Sequence, residues 1–216
     1  MHFKLRVELL KNILYISGSV VIFFFGMVLY GIILNFREKS LREEMQEKNI
    51  VSFSKPNIIV NKKSYRLELY DDTVMVKVYK VSIGKGNRAL KESFNDNTTP
   101  SGEYFICAVD TLSKYRKFLL INYPNQWDIV EAYKKQWLTK DEYLGIVENM
   151  KHGKYSLENY DKFARVGIHG IGTYDFIFRN LPFTFNWTNG SIAVSNNDID
   201  ELYSVVKIGT PVRIRE

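Results

Sequence analysis

No charged side chain occurs between Lys11 and Arg37, and this rules out most ways in which the first part of the chain can fold in water. The stretch from Asn12 to Phe36 contains Val20-Val21-Ile22-Phe23-Phe24-Phe25 and Ile32-Ile33-Leu34. A helix rises about 1.5 Å per residue, so the stretch is long enough for the roughly 30 Å hydrocarbon core of a bilayer. A cleaved signal peptide has a shorter apolar region, about 7–15 residues, that ends in small residues. Here Arg37-Glu38-Lys39-Ser40 follows instead. The sequence therefore predicts a retained single-pass anchor over residues 12–36, behind a short tail at residues 1–11. Lys4, Arg6 and Lys11 on one flank nearly balance Arg37, Lys39, Arg42 and Lys48 on the other, so charge does not orient the span.

Residues 37–56 mix both signs. Glu38 with Arg42 and Glu44 with Lys48 are spaced for i,i+4 pairs on a helix. The expectation is a solvated stalk, with a short apolar seam at Leu34, Leu41 and Met45.

From Ile58 the apolar period changes to that of strands. Ile58-Ile59-Val60, the turn Asn61-Lys62-Lys63-Ser64, and Tyr65 to Tyr70 read as a hairpin, and Val74 to Tyr79 reads as a third strand. Tyr104 to Val109 and Lys117 to Tyr123 are further strands. Residues 126–164 carry helical spacing at Ile129, Tyr133, Trp137 and Leu138, with Asp141 as a candidate cap for a helix from Glu142 to about Met150. Asn196-Asn197-Asp198 offers a cap for a helix over Ile199 to Val206, and Ile208 to Ile214 reads as a turn and closing strand. The prediction is a mainly β, largely antiparallel sandwich or barrel at residues 57–216, with a small helical insertion, preceded by one transmembrane helix.

Bulk properties exclude several function classes. The 216 residues carry a net charge of +6, with 45% hydrophobic and 25% charged residues, which is ordinary globular composition. No Lys/Arg run exceeds two and no helix-turn-helix or zinc-finger spacing is visible, so no nucleic-acid partner is expected. The single cysteine, Cys107, permits no intrachain disulfide and sits in an apolar run as a small hydrophobe. His2, His152 and His169 lack cysteine partners for a structural zinc site; no metal and no cofactor are expected. Gly84-Lys85-Gly86 is a glycine pair without the following helix that a dinucleotide fingerprint requires.

Four segments in order carry a resemblance. Val81-Ser82-Ile83-Gly84-Lys85-Gly86, Thr99-Pro100-Ser101-Gly102-Glu103-Tyr104, Gly167-Ile168-His169-Gly170, and Trp187-Thr188-Asn189-Gly190-Ser191 through Asn196 resemble the L,D-transpeptidase (YkuD-like) catalytic domain over about residues 58–214. Asn196 to Tyr203 and Gly209-Thr210-Pro211-Val212 are similar to that family's last helix and ending. Family members join or cleave peptidoglycan stem peptides: a thiolate attacks the carbonyl beside a D-amino acid, and an amine or water resolves the thioester. Carried over by position, the resemblance implies His169 as base, oriented by a backbone carbonyl near Gly170, with the backbone N–H groups of Gly190 and Ser191 facing the oxyanion and Asn189 and Gly170 as backbone support. Tyr104 and Trp187 are candidates for the groove wall. The resemblance also implies a domain on the periplasmic, cell-wall side of a bacterial inner membrane, with a cytoplasmic amino terminus and stem peptides as partners.

The chain departs from the family at the nucleophile, where Ser191 stands in place of cysteine, and Ala193 occupies a position where many members carry arginine. Serine is weak at its free pKa and depends on an adjacent base. Asp161 and Asp175 are the carboxylates nearest His169 in sequence. Three readings stay open: a family member impaired or inactive through Ser191, a noncatalytic peptidoglycan-binding module (a pseudoenzyme) in envelope assembly, and a serine hydrolase using the same groove. The helical insertion is a candidate lid.

Overall fold

Alternating apolar side chains from Pro56 onward build a three-stranded meander: β1 (Pro56–Asn61), β2 (Arg66–Asp71) and β3 (Val74–Lys80). In β1 every second residue is buried, as a half-buried pleat requires. The computed structural model describes residues 2–35, 38–86, 96–151, 165–181 and 184–216. It separates into two units, one comprising residues 1–38 with 176–183 and the other residues 39–175 with 184–216.

The first unit is dominated by helix α1 (His2–Asn35). Its segment Val7–Leu34 has a mean hydropathy of 2.3 and is long and apolar enough to cross a membrane. Phe23, Phe25, Ile22 and Leu14 are all exposed. A helix that is apolar all round and unburied is suited to lipid rather than water.

The second unit begins with α2 (Leu41–Glu47), capped by Ser40 in a reciprocal box with Glu43. This segment is not the solvated spacer expected from its charges. Leu41 is 4% exposed and belongs to the main core, with Met45, Ile50 and Phe53 packed against it. The Leu41 N–H donates to Glu201 Oε1 at 2.9 Å, and Lys77 Nζ pairs with the same carboxylate at 2.6 Å. Leu41 and Met45 therefore face the β domain while the Glu44–Lys48 pair forms on the outside. Leu41→Ala is expected to destabilise this unit by about 2–4 kcal/mol, the usual cost of a buried leucine, as measured by urea unfolding. An unchanged midpoint would mean that α2 contributes nothing to the core.

The remaining strands are β4 (Gly102–Asp110), β5 (Phe118–Ile121), β6 (Gly167–Gly170), β7 (Ile192–Val194) and β8 (Pro211–Arg215). They join the meander in one eight-stranded sheet ordered β3-β2-β1-β8-β4-β5-β6-β7. Most neighbours are antiparallel, but β1 with β8 and β6 with β7 run parallel. Ser82, just after β3, bridges to Ala193 of β7 with two hydrogen bonds of 2.8 Å. The two edges of the sheet thus meet and nearly close a barrel, around a core that includes Val60, Leu67, Ile106, Leu119, Ile121, Ile168 and Ile192.

Helices α3 (Gln126–Lys134) and α4 (Lys140–Lys151) form the insertion. Asn125 caps α3. At α4 the reciprocal bonds between Thr139 and Glu142 make the cap, rather than Asp141. The pair holds its own small core of Ile129, Ala132, Leu138 and Ile146, with Trp137 and Tyr143 packed against it, while Trp127 is exposed. The rest of the lid candidate, residues 152–164, lies outside the described residues, as do His152 and Asp161. A five-residue helix α5 (Asp175–Arg179) follows β6, and α6 (Asn196–Val205) follows β7. Ser195, not the Asn196–Asp198 cluster, caps α6 by accepting from the Asp198 N–H.

Candidate functional site

The parallel pair β6–β7 fixes the site. His169 is in register with Ala193, and Ile168 with Ile192. Ser191 immediately precedes β7, two residues from Ala193, so its side chain falls on the same face as His169. Both are buried, at 3% and 6% exposure. Every residue of β6 and β7 is buried, as suits parallel strands covered on both faces.

Three aromatic rings enclose the imidazole of His169. Phe118, its register partner on β5, stacks at 5.2 Å between centroids with planes 13° apart. Tyr115 lies at 4.5 Å, and Trp187 presents an edge at 5.9 Å. Nδ1 is 2.6 Å from the Gly170 carbonyl, which fixes it as the protonated nitrogen and leaves Nε2 as an acceptor. The imidazole is thus oriented by a main-chain carbonyl. Asp175 instead accepts from the Asn196 N–H at 2.8 Å, at the start of α6.

Burial pushes the His169 pKa down to about 4, only partly opposed by its bond to Gly170. The imidazole is neutral at pH 7. Because the folded protein resists the proton more than the unfolded chain does, this group's contribution to stability is complete above about pH 6.5 and is lost as pH falls toward 4. The expected loss is about 3 kcal/mol. Urea unfolding in detergent at pH 7 and pH 4 measures it, and His169→Gln should remove that part of the acid sensitivity. Equal sensitivity in both proteins would contradict the assignment.

Glycines allow the backbone to close around this face. A Cβ on Gly170 would lie 2.7 Å from both the Tyr115 carbonyl and Asn196 Oδ1, and one on Gly167 would lie 2.3 Å from the Leu119 carbonyl. Asn196 in turn pins the exit of β6, accepting from the Gly172 N–H at 2.8 Å and donating to the Gly172 carbonyl at 2.9 Å.

The loop before β7 is held as tightly. Thr188 bridges to Gly84; the Lys85 N–H donates to the Thr188 carbonyl at 3.0 Å and Thr188 N–H to the Ile83 carbonyl at 3.3 Å. Thr188 Oγ1 donates to the Ser191 carbonyl at 2.5 Å. Gly190 has φ +103°, and a Cβ there would lie 3.1 Å from the Thr98 carbonyl. Only glycine adopts that conformation readily. Asn189 is exposed at the tip.

The Ser191 hydroxyl is engaged with the start of β6. Oγ accepts from the Gly167 N–H at 3.3 Å and donates to the Arg165 carbonyl at 3.4 Å. Its hydrogen-bond contacts are thus with the main chain at the start of β6.

Of the residues anticipated from sequence, the structure brings together His169, Gly170, Trp187 and the Asn189-Gly190-Ser191 loop. Tyr104 makes other contacts: its hydroxyl donates to the Ser101 carbonyl and Asp128 Oδ1, and its ring meets Tyr123 at 6.1 Å. Sequence reasoning did not single out Tyr115, Phe118 or Arg165. Phe118 was findable only once strand register was known, and Tyr115 sits in a turn whose course no local pattern predicts. Cys107 is half-buried on β4, with its thiol pKa pushed up by burial. Among the described residues no group of three or more His, Cys, Asp or Glu side chains is gathered to hold a metal.

Solved structures of similar fold include the helical cell shape determining protein Pgp2 of Campylobacter jejuni, with 17% identity over 82% of this chain and 55% of that one and a TM-score of 0.46. Bd1075 of Bdellovibrio bacteriovorus matches at 20% identity over 76% and 48% of the two chains, TM-score 0.45. An L,D-transpeptidase of Xylanimonas cellulosilytica matches at 15% identity over 76% and 62%, TM-score 0.44. The chain thus spans roughly half to three-fifths of the length of these solved chains. No curated protein matches the sequence. The L,D-transpeptidase catalytic domain (YkuD) matches residues 55–214, three-quarters of the chain, and the protein belongs to that family.

Proposed function

We propose that this protein is a membrane-anchored member of the L,D-transpeptidase family that engages peptidoglycan stem peptides at the His169–Ser191 face, with acyl transfer strongly reduced because serine replaces the cysteine nucleophile. In this reading α1 is a single-pass anchor in a bacterial inner membrane and the domain from Pro56 onward lies on the cell-wall side. His169 is the base, Ser191 the weakened nucleophile, and the main-chain N–H groups at Gly190 and Ser191 are the oxyanion donors. Asn189 and Gly170 support that frame, and Trp187 lines the groove.

One observation supports the reduced chemistry: the hydrogen-bond contacts of the Ser191 hydroxyl are with the main chain at Gly167 and Arg165, and the His169 ring is held by the Gly170 carbonyl at 2.6 Å. A serine becomes a useful nucleophile only when its proton is shared with a base. In this arrangement the neutral imidazole accepts nothing from Ser191, and its ring is steadied by a carbonyl rather than by a carboxylate that would stabilise an imidazolium. The serine-hydrolase reading asks for both, and the binding-module reading asks for neither. The test is incubation of the detergent-solubilised protein with tetrapeptide muropeptides, followed by intact mass spectrometry and a sacculus-binding assay. Sacculus binding with little or no covalent adduct is expected. Rapid turnover abolished by Ser191→Ala would replace this proposal with the hydrolase, and absence of both binding and adduct would remove peptidoglycan as the ligand.

A further inference from the structure

Lys62 is 2% exposed, an unusual place for an ammonium group, and nothing in the chemistry proposed above uses it. Its Nζ lies 2.6 Å from Glu216 Oε1 and donates to the Thr99 carbonyl at 3.3 Å. Its backbone N–H donates to the Arg215 carbonyl at 2.9 Å. Ser101 Oγ donates to the same Glu216 oxygen at 3.1 Å. The ammonium therefore ties the β1–β2 turn and the end of β8 to the segment Thr98-Thr99-Pro100-Ser101.

That segment packs directly behind the loop before β7. Thr99 Oγ1 accepts from the Gly84 N–H at 2.8 Å. A Cβ on Gly84 would lie 3.0 Å from the Gly190 Cα and 2.9 Å from the Thr99 N. From the other side, the Thr98 carbonyl is the nearest atom to a Cβ built on Gly190, at 3.1 Å. Three backbone layers, at 98–99, 84–85 and 188–190, are thus stacked without room for a side chain between them. One of these segments, at 98–99, is held by a buried charge.

We propose that Lys62 is a positioning residue for the Gly190–Ser191 loop: it fixes the Thr98–Thr99 backbone, which sets the position of the main-chain donors at Gly190 and Ser191. The inference rests on the reading of those donors as the oxyanion site. A buried charge is suited to this task because its loss leaves Glu216 and the Thr99 carbonyl without their common partner, which costs more than an ordinary surface pair. Oxyanion donors lose their effect when displaced by about an ångström.

The test uses the full chain in detergent with Lys62→Met, Lys62→Arg and the milder Glu216→Gln at the surface, each in the Ser191 protein and in a Ser191→Cys background. Amide exchange over residues 187–192 is expected to quicken about ten-fold or more in Lys62→Met, with β4 and β5 peptides unchanged. Acylation of the Ser191→Cys protein should fall about 10–100-fold through its rate constant rather than through KM, with partial rescue by Lys62→Arg. Glu216→Gln should move both readouts in the same direction by less. Unchanged exchange over 187–192, or loosening spread evenly over the domain, would overturn the proposal. If Lys62→Met does not fold, Glu216→Gln decides on the same criteria. Selective loosening of 187–192 in a protein whose Ser191→Cys form is never acylated would keep the strut and discard the acyl-transfer reading instead.

Discussion

Ser191→Cys is expected to raise the rate of covalent acylation by a tetrapeptide stem or a carbapenem by on the order of a thousand-fold or more. The argument is chemical first. A thiol of ordinary pKa near 8.5 is a few per cent thiolate at neutral pH and intrinsically nucleophilic, whereas a hydroxyl has to shed its proton during attack. It is geometric second. The hydroxyl lies 3.4 Å from the Arg165 carbonyl and accepts from the Gly167 N–H at 3.3 Å. Those two bonds hold the side chain in a resting position and compete with any approach to His169. A thiol makes both bonds weakly, so the substitution also releases the side chain. Intact mass spectrometry of the two proteins with a carbapenem reads the adduct directly. Failure of folded Ser191→Cys to form any adduct would show that the face around His169 is not an acyl-transfer site.

Much of the architecture was legible because it follows from local periodicity. The meander β1–β3, strands β4, β5 and β8, and a long apolar helix through residues 12–35 lie where the apolar spacing put them. Segments that went differently did so for tertiary reasons. Residues 41–47 looked like a solvated helix because three glutamates and one arginine dominate a window of that length, yet Leu41 and Met45 suffice to dock it once a strand face is available. The parallel β1–β8 pair, and the bridge from Ser82 to Ala193 that brings the sheet edges together, depend on contacts more than a hundred residues apart in sequence, and the parallel β6–β7 pair joins segments separated by a helix and a loop. At the site, the His-Gly and Gly-Ser segments were readable as motifs. The aromatic enclosure was not, because Tyr115 and Phe118 reach His169 through a turn and a register that no single segment encodes. Tyr104 was read as a groove residue from its motif, but its hydroxyl is spent on Ser101 and Asp128.

In the Ser191→Cys protein, His169→Ala is expected to lower the acylation rate by about 10²–10⁴-fold, the range associated with loss of a positioned general base. The pH profile separates this from a packing effect. With the imidazole pKa held near 4 by burial, the acid limb of the rate should fall near pH 4 instead of near 6.5, since only the neutral ring offers Nε2 as acceptor. Tyr115, tilted against the imidazole at 4.5 Å, supplies part of the enclosure. Tyr115→Ala should admit water, ease the desolvation, and move that limb upward toward 6.5. His169→Ala should abolish the limb altogether. The same enclosure that keeps the imidazole neutral also keeps it 3% exposed, and removing the Tyr115 ring is expected to widen the approach of a substrate carbonyl to residue 191. Tyr115→Ala is therefore expected to lower KM while its acid limb shifts, whereas a merely destabilised site would raise KM and leave the limb in place. An acid limb near 6.5 in the parent protein, unmoved by Tyr115→Ala, would mean that His169 is not the group that accepts the proton.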